Sequence, residues 1–242
     1  MNTKSRSTGV ATAWVLLVTL LLTASMVVYS AAPASADDKQ EAAQLVEKAR
    51  FAFESFMTDG KMGPFQGLVK RARGVFIAPQ LLKGAFIIGV SGGSGVLVVQ
   101  DEKAGQWNGP SFYTIGGASF GFQIGGEASE VVLLAMTERG VSSLLWSSFK
   151  LGAEAGLAAG PVGMGVSAAS VNLSVDILSF SRSKGLYGGI SLDGAVVATR
   201  GDWNEAYYGK PLTPTDILIR KTVINPQAQR LMESVAKAAA EK

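Results

Sequence analysis

The chain has 242 residues, of which 48% are hydrophobic and 17% are charged, and its formal net charge is +3. This composition suits a folded chain with a sizeable core and excludes a mainly disordered one. The sequence contains no cysteine and no histidine, which excludes thiolate nucleophiles, disulfides, imidazole bases and the usual zinc ligand sets. The acidic residues lack the spacing of a calcium loop. We therefore predict no metal and no cofactor.

The first 36 residues have the parts of a secretory signal. Lys4 and Arg6 precede an apolar run over residues 10–29, and small residues follow at 34–36. The pattern predicts cleavage before Asp37 and a periplasmic or secreted protein. The apolar run is also long enough to cross a bilayer, so the alternative is an inner-membrane anchor formed by residues 10–29. Removal of the signal would lower the net charge to +1, too small an excess to predict nucleic-acid binding.

Two helical segments are predicted at the start of the remaining chain. Apolar residues recur at three- and four-residue steps over 39–57, which predicts an amphipathic helix with one apolar face. A second helical turn over 65–72 is followed by a basic cluster containing Lys70, Arg71 and Arg73.

Beyond Gly74, short apolar runs bounded by glycine predict strands. They cover residues 75–78, 86–90, 95–100, 112–123, 131–136, 177–180, 188–192 and 196–199. The polar stretch 101–106 reads as a hairpin loop and 193–194 as a turn. The glycine-rich stretch 89–95 matches neither nucleotide-binding fingerprint, so we interpret it as a β turn or bulge.

Three further helical segments complete the prediction. Thr137 is placed to cap a short helix that ends near Trp146, residues 213–218 form a capped turn, and residues 226–239 form a terminal helix with Leu231 and Val235 on one face. The whole pattern predicts an α+β domain over residues 37–242. Its core is an antiparallel β sandwich or barrel-like sheet, packed by N- and C-terminal helices.

The only pattern that suggests catalysis is Ser-x-x-Lys. Two of its occurrences are Ser147 to Lys150 and Ser181 to Lys184, a spacing that places a lysine near a nucleophilic serine in some acyl-transfer enzymes. The companion motifs of those enzymes are missing, which favours surface turns. We predict no catalytic residue and no enzyme activity, and keep a Ser-Lys hydrolase as a remote alternative.

An ordered series of motifs resembles the SYLF family, also called the Ysc84 actin-binding domain family. Residues 180–194 read Phe-Ser-Arg-Ser-Lys-Gly-Leu-Tyr-Gly-Gly-Ile-Ser-Leu-Asp-Gly, similar to the family's signature. Supporting motifs stand at 72–76, 92–96, 107–110, 121–127 and 159–163, and Asn204, Tyr208 and Gly209 follow in register. Residues 90–91 and Met164 depart from the pattern where many members carry a basic residue.

This resemblance implies a non-enzymatic protein that binds phosphoinositide-like or other anionic lipid headgroups at a membrane surface. In eukaryotic members an N-terminal amphipathic helix contacts the membrane, and residues 39–57 match it. The apolar residues expected to insert are Leu45, Val46, Phe53 and Phe56. The cations expected to meet phosphates are Lys70, Arg71, Arg73, Lys83, Arg182 and Lys184. The resemblance makes an anionic phospholipid membrane the expected partner, and the alternative is an envelope scaffold that binds a protein. Some fungal members bind actin, but the predicted export signal makes actin an unlikely partner here.

Overall fold

The computed structural model describes residues 36–85, 88–101, 103–120, 125–161, 175–183, 186–188 and 192–240. The chain divides into two units, Met1–Ser35 and Ala36–Lys242, of which only the second contains described residues. Both hydrophobic clusters lie within this second unit. The unit therefore contains its own core.

The helices lie at both ends of the unit and between strands. They are α1 (Ala36–Thr58), a 3-10 turn (Gly60–Met62), α2 (Gly63–Val69), α3 (Glu138–Leu144), α4 (Gly201–Tyr208), α5 (Pro214–Leu218), a second 3-10 turn (Pro226–Ala228) and α6 (Gln229–Ala240). The sequence-based prediction of an N-terminal and a C-terminal helix is confirmed. Thr137 caps α3 and Thr213 caps α5, as predicted.

The strands form one mostly antiparallel sheet that curls into a half-barrel. They are β1 (Gly74–Ala85), β2 (Ile88–Gln100), β3 (Trp107–Phe120), β4 (Gly125–Ala135), β5 (Ser148–Lys150), β6 (Leu157–Ala159), β7 (Ile177–Ser183), β8 (Leu186–Gly188) and β9 (Val196–Thr199). The order across the sheet is β5-β9-β3-β2-β1-β4-β7-β6, and β8 also pairs with β7. The predicted α+β class and barrel-like core are confirmed.

Around the first half of β1, both faces of the sheet are buried. Along β1, Val75 and Ile77 face a cluster that includes α1, α2, α4 and α6, while Phe76 and Ala78 face a second cluster that includes α3 and α5. This alternation follows from the two-residue period of a strand. It also explains why β4 is apolar without interruption from residue 131 to 135, as expected of a strand covered on both sides.

The apolar face of α1 lies in the core. Leu45 is 7% exposed, Val46 is 1% exposed, and Phe53 and Phe56 are fully buried, with both rings packed edge-on against Phe65. At about 1.5 kcal/mol or more for each buried side chain, these four hold α1 with roughly 6 kcal/mol. The face that the sequence assigned to membrane insertion is therefore the packing face of the folded unit. Its insertion would require α1 to leave the sheet.

The glycine-rich stretch 89–95 lies inside β2, so its interpretation as a turn is wrong. The register shifts instead between Ile77 and Gln80 of the neighbouring β1. A Cβ on Gly93 would lie 2.2 Å from the Gln80 carbonyl oxygen, and one on Gly95 would lie 2.5 Å from the Phe76 ring. The glycines therefore allow the irregular part of β1 to pack closely against β2.

Candidate functional site

The structure separates the cations predicted to form one site. Lys70, Arg71 and Arg73 lie just before β1, whereas Lys83 lies near the other end of that strand, opposite Glu127 of β4. Ten strand residues at about 3.3 Å each place Arg73 and Lys83 roughly 30 Å apart. Lys184 lies outside the described residues. The predicted set therefore does not converge on one headgroup.

Arg182 is engaged inside the fold. Its guanidinium pairs with Glu130, lies 3.5 Å from an Asp59 carboxylate oxygen and donates to Ser55 Oγ at 2.7 Å. It also lies 5.2 Å from the centre of the Phe56 ring, and its side chain is 18% exposed. Arg182 thus joins β7 to β4 and to the end of α1. Contact with a lipid phosphate would require it to exchange these partners.

One end of the sheet carries Lys70, Arg71 and Arg73, at the point where β1 begins and β2 and β4 end. The Arg73 N–H donates to the Ala135 carbonyl at 2.8 Å, and the Arg73 carbonyl accepts from the Gln100 N–H at 2.9 Å. These bonds hold the segment between the C-terminal ends of β2 and β4.

The loops around this segment carry two more cations. The Lys103 N–H donates to Asp101 Oδ1 at 2.9 Å in the turn after β2. The Lys221 ammonium pairs with the same carboxylate from the segment after α5. We call these five cations the basic end: Lys70, Arg71, Arg73, Lys103 and Lys221.

The cations of the basic end differ in their partners. Lys70, Arg71 and Lys103 are exposed, and within the described part of the chain no carboxylate lies within 4 Å of their side-chain nitrogens. Arg73 pairs with Glu138 at 3.1 Å. Lys221 is the main cause of the lowered pKa of Asp101. Three cations are therefore available to an external anion.

Exposed apolar side chains lie beside the basic end. Ile219 is 46% exposed and Ile224 is 90% exposed, on either side of Lys221. A basic cluster with adjacent apolar side chains suits the interface of an anionic membrane, where phosphates meet the cations and apolar groups enter the headgroup layer.

A cavity of about 490 Å³ opens at the same end. Its apolar walls come from Val99, Val141, Leu145, Leu218 and Ile219, and its rim includes Arg73, Glu138, Asp101 and Lys221. The residues come from β2, α3 and α5, which are far apart in the sequence. Sequence reasoning identified Arg73 alone among them.

A larger and more polar groove of about 770 Å³ runs beside α1. Its lining includes Lys48, Phe51, Gln80, Glu130 and Arg182. Phe51 is 60% exposed, on the side of α1 that does not pack in the core.

The described residues give no support to a metal site or a paired catalytic serine. No three of their Asp and Glu side chains are grouped as metal ligands would be. Ser181 is buried, and its motif partner Lys184 lies outside the described residues. Ser147 and Lys150 are exposed at either end of the short strand β5. None of the helices in the described ranges has the length and apolar character needed to cross a bilayer.

The fold is an α+β half-barrel domain, and the basic end lies at one end of its sheet. The model of the Ysc84 family, described as a Las17-binding protein actin regulator, matches residues 116–238. The chain therefore belongs to the Ysc84 family, as its motifs indicated.

Curated relatives include proteins from yeast and human. The chain is 32% identical over 188 residues to Protein YSC84 of Saccharomyces cerevisiae, a match that covers 75% of this chain and 39% of that protein. It is 30% identical over 168 residues to the human SH3 domain-containing YSC84-like protein 1, covering 69% of this chain and 48% of that protein. It thus spans less than half the length of these relatives.

Proposed function

We propose that this protein binds anionic lipid headgroups at a membrane surface through its basic end, without catalysis, after export to the cell envelope. The observation that carries the proposal is the presence of three exposed cations, Lys70, Arg71 and Lys103, whose side-chain nitrogens have no carboxylate partner in the described ranges. Each basic residue near an anionic surface contributes about 1 kcal/mol of attraction. The neighbouring Ile219 and Ile224 add apolar contact.

The proposal assigns the first membrane contact to the basic end, because the apolar face of α1 is occupied in the core. The remaining predicted cations, Lys83 and Arg182, lie toward the opposite end of the sheet. They belong to the proposal only as secondary contacts, and so does Lys184, which lies outside the described residues.

The test is co-sedimentation of the Ala36–Lys242 unit with liposomes of graded anionic-lipid content at low and high salt. Binding should rise with anionic lipid and fall with salt, because salt screens exposed charges. The double variant Lys70→Glu/Arg71→Glu should weaken binding by at least about thirtyfold, because loss of the two attractions alone removes about 2 kcal/mol. Lys39→Glu/Lys237→Glu, which changes the net charge equally at exposed positions of α1 and α6, is the matched control. Equal loss in both variants would contradict a local site.

A protein partner is the second candidate, favoured by the family's description as Las17-binding. The groove beside α1, with its exposed Phe51, offers a surface for such a partner. A pull-down from envelope extract that is unaffected by liposomes and lost in Phe51→Glu would favour this candidate. Sedimentation with actin filaments tests the prediction that actin is not a partner.

A further inference from the structure

The cavity at the basic end combines an apolar interior with a charged rim. Of its five apolar lining residues, Val99, Val141 and Leu218 are at most 8% exposed and form the deeper part, whereas Leu145 and Ile219 are more exposed. Its volume of about 490 Å³ lies within the roughly 300 to 1,000 Å³ typical of small-molecule sites. Such an interior suits an acyl chain rather than a polar ligand.

The rim carries two ion pairs rather than a single sign of charge. Arg73 pairs with Glu138, and Lys221 pairs with Asp101. A purely anionic headgroup placed here would meet the two carboxylates, and a purely cationic one would meet the guanidinium and the ammonium. A headgroup that carries both charges can pair each of them with a rim residue of opposite sign.

Lys221 occupies a backbone position that favours glycine. Its φ is +55°, and it is the one non-glycine residue in the described ranges with a positive φ. The Thr222 N–H donates to the Asp216 carbonyl at 3.1 Å, which closes the C-terminal end of α5. Glycine is the usual residue at such a helix end. A lysine here therefore places a cation on the rim despite the backbone preference.

We propose that this cavity binds a single amphiphile, with its acyl portion against the apolar floor and a zwitterionic phosphate and ammonium headgroup between the two ion pairs. The phosphate lies toward Arg73 and Lys221, and the ammonium toward Glu138 and Asp101. The inference rests on the proposed function in one respect, because the membrane to which the basic end binds is the source of the amphiphile. Lys70, Arg71 and Lys103 hold the anionic surface, and the cavity holds one lipid.

The experiment titrates the Ala36–Lys242 unit with dihexanoylphosphatidylcholine below its micellar concentration and follows backbone amide chemical shifts. An anionic amphiphile with the same chains, dihexanoylphosphatidylglycerol, is titrated in parallel. The expected result is saturable shifts confined to α3, α5 and the start of the β2 to β3 loop, with tighter binding of the zwitterionic probe.

Three variants distinguish the parts of the proposal. Ser142→Trp fills the cavity from an exposed position on its lining and should abolish the shifts, whereas Gln40→Trp, exposed on α1, should leave them unchanged. Glu138→Gln should weaken binding of the zwitterionic probe about tenfold and strengthen binding of the anionic probe. Lys221→Gly, which suits the local φ, should weaken the phosphate contact of both probes.

Each outcome decides something. Shifts that persist in Ser142→Trp, or no binding of either probe, overturn the cavity as a lipid site. Tighter binding of the anionic than of the zwitterionic probe by the unsubstituted unit, or unchanged binding of the zwitterionic probe in Glu138→Gln, overturns the zwitterionic assignment. Liposome co-sedimentation of Ser142→Trp separates the two proposals, because the surface contact through Lys70 and Arg71 should be unchanged when the cavity is filled. If the unsubstituted unit binds neither probe yet still sediments with anionic liposomes, only the inference about the cavity is contradicted.

Discussion

Arg182 gives the sharpest test of whether a basic residue of the family signature is structural or binds lipid. Arg182→Gln removes the ion pairs to Glu130 and Asp59 and the cation above the Phe56 ring. Both carboxylates are less than one third exposed, so water replaces the lost arginine only in part. Breaking a largely buried pair from one side costs about 3 to 5 kcal/mol. The residual exposure of Glu130 lowers the expected loss to about 2 to 3 kcal/mol of unfolding free energy.

Urea denaturation followed by far-UV circular dichroism measures this loss in Arg182→Gln, and Arg71→Gln serves as the exposed control. Arg71 has no ion pair in the described ranges, so its replacement should change stability by less than about 0.5 kcal/mol. Adding Glu130→Gln to Arg182→Gln should recover part of the loss, because no carboxylate is then left unpaired at that position. A stable Arg182→Gln protein with weakened liposome binding would refute the structural role.

Three other changes test the packing. Asn204 is fully buried and its side-chain oxygen accepts a main-chain N–H of β3 at 3.0 Å, so Asn204→Leu should cost about 1 to 3 kcal/mol in urea denaturation; an unchanged midpoint would contradict this. The Arg139 guanidinium is the main cause that holds the pKa of Asp176 at about 2, below its ordinary 3.8. The stabilisation that the Asp176 carboxylate contributes is present above pH 4 and is lost as the pH falls toward 2. Asp176→Asn should therefore flatten the dependence of the unfolding free energy on pH across that window. An unchanged slope would contradict this role of Asp176. Gly93→Ala should destabilise by about 1 to 3 kcal/mol because its Cβ meets a carbonyl at 2.2 Å, whereas the neighbouring Gly92→Ala, with open space, should be tolerated; thermal unfolding of the pair decides.

Local patterns located most elements of the fold. The period of residues 39–57 predicted α1, the continuous apolar run predicted β4, and Thr137 and Thr213 predicted the starts of α3 and α5. Each signal arises from residues that are neighbours in the sequence and share one element. Such patterns also showed that α1 has an apolar face, but they could not show what covers it.

The site depended on information that is not local. The sequence grouped Lys83 with Arg73 because they are ten positions apart, and an extended strand separates them by roughly 30 Å. Lys103 and Lys221 reach the basic end from loops far apart in the chain. Only the fold shows that Asp101 accepts the Lys103 main-chain N–H and also pairs with the Lys221 ammonium. The positive φ of Lys221 leaves no mark in the sequence, since a glycine is what would have signalled it.

The two outermost strands of the sheet path, β5 and β6, are only three residues long. An open half-barrel leaves two lateral borders whose main-chain amides and carbonyls could recruit strands from other molecules. Borders this short offer few consecutive hydrogen bonds, which limits polymerisation by strand addition. Under the proposed function, this would keep molecules that gather on a membrane separate from one another.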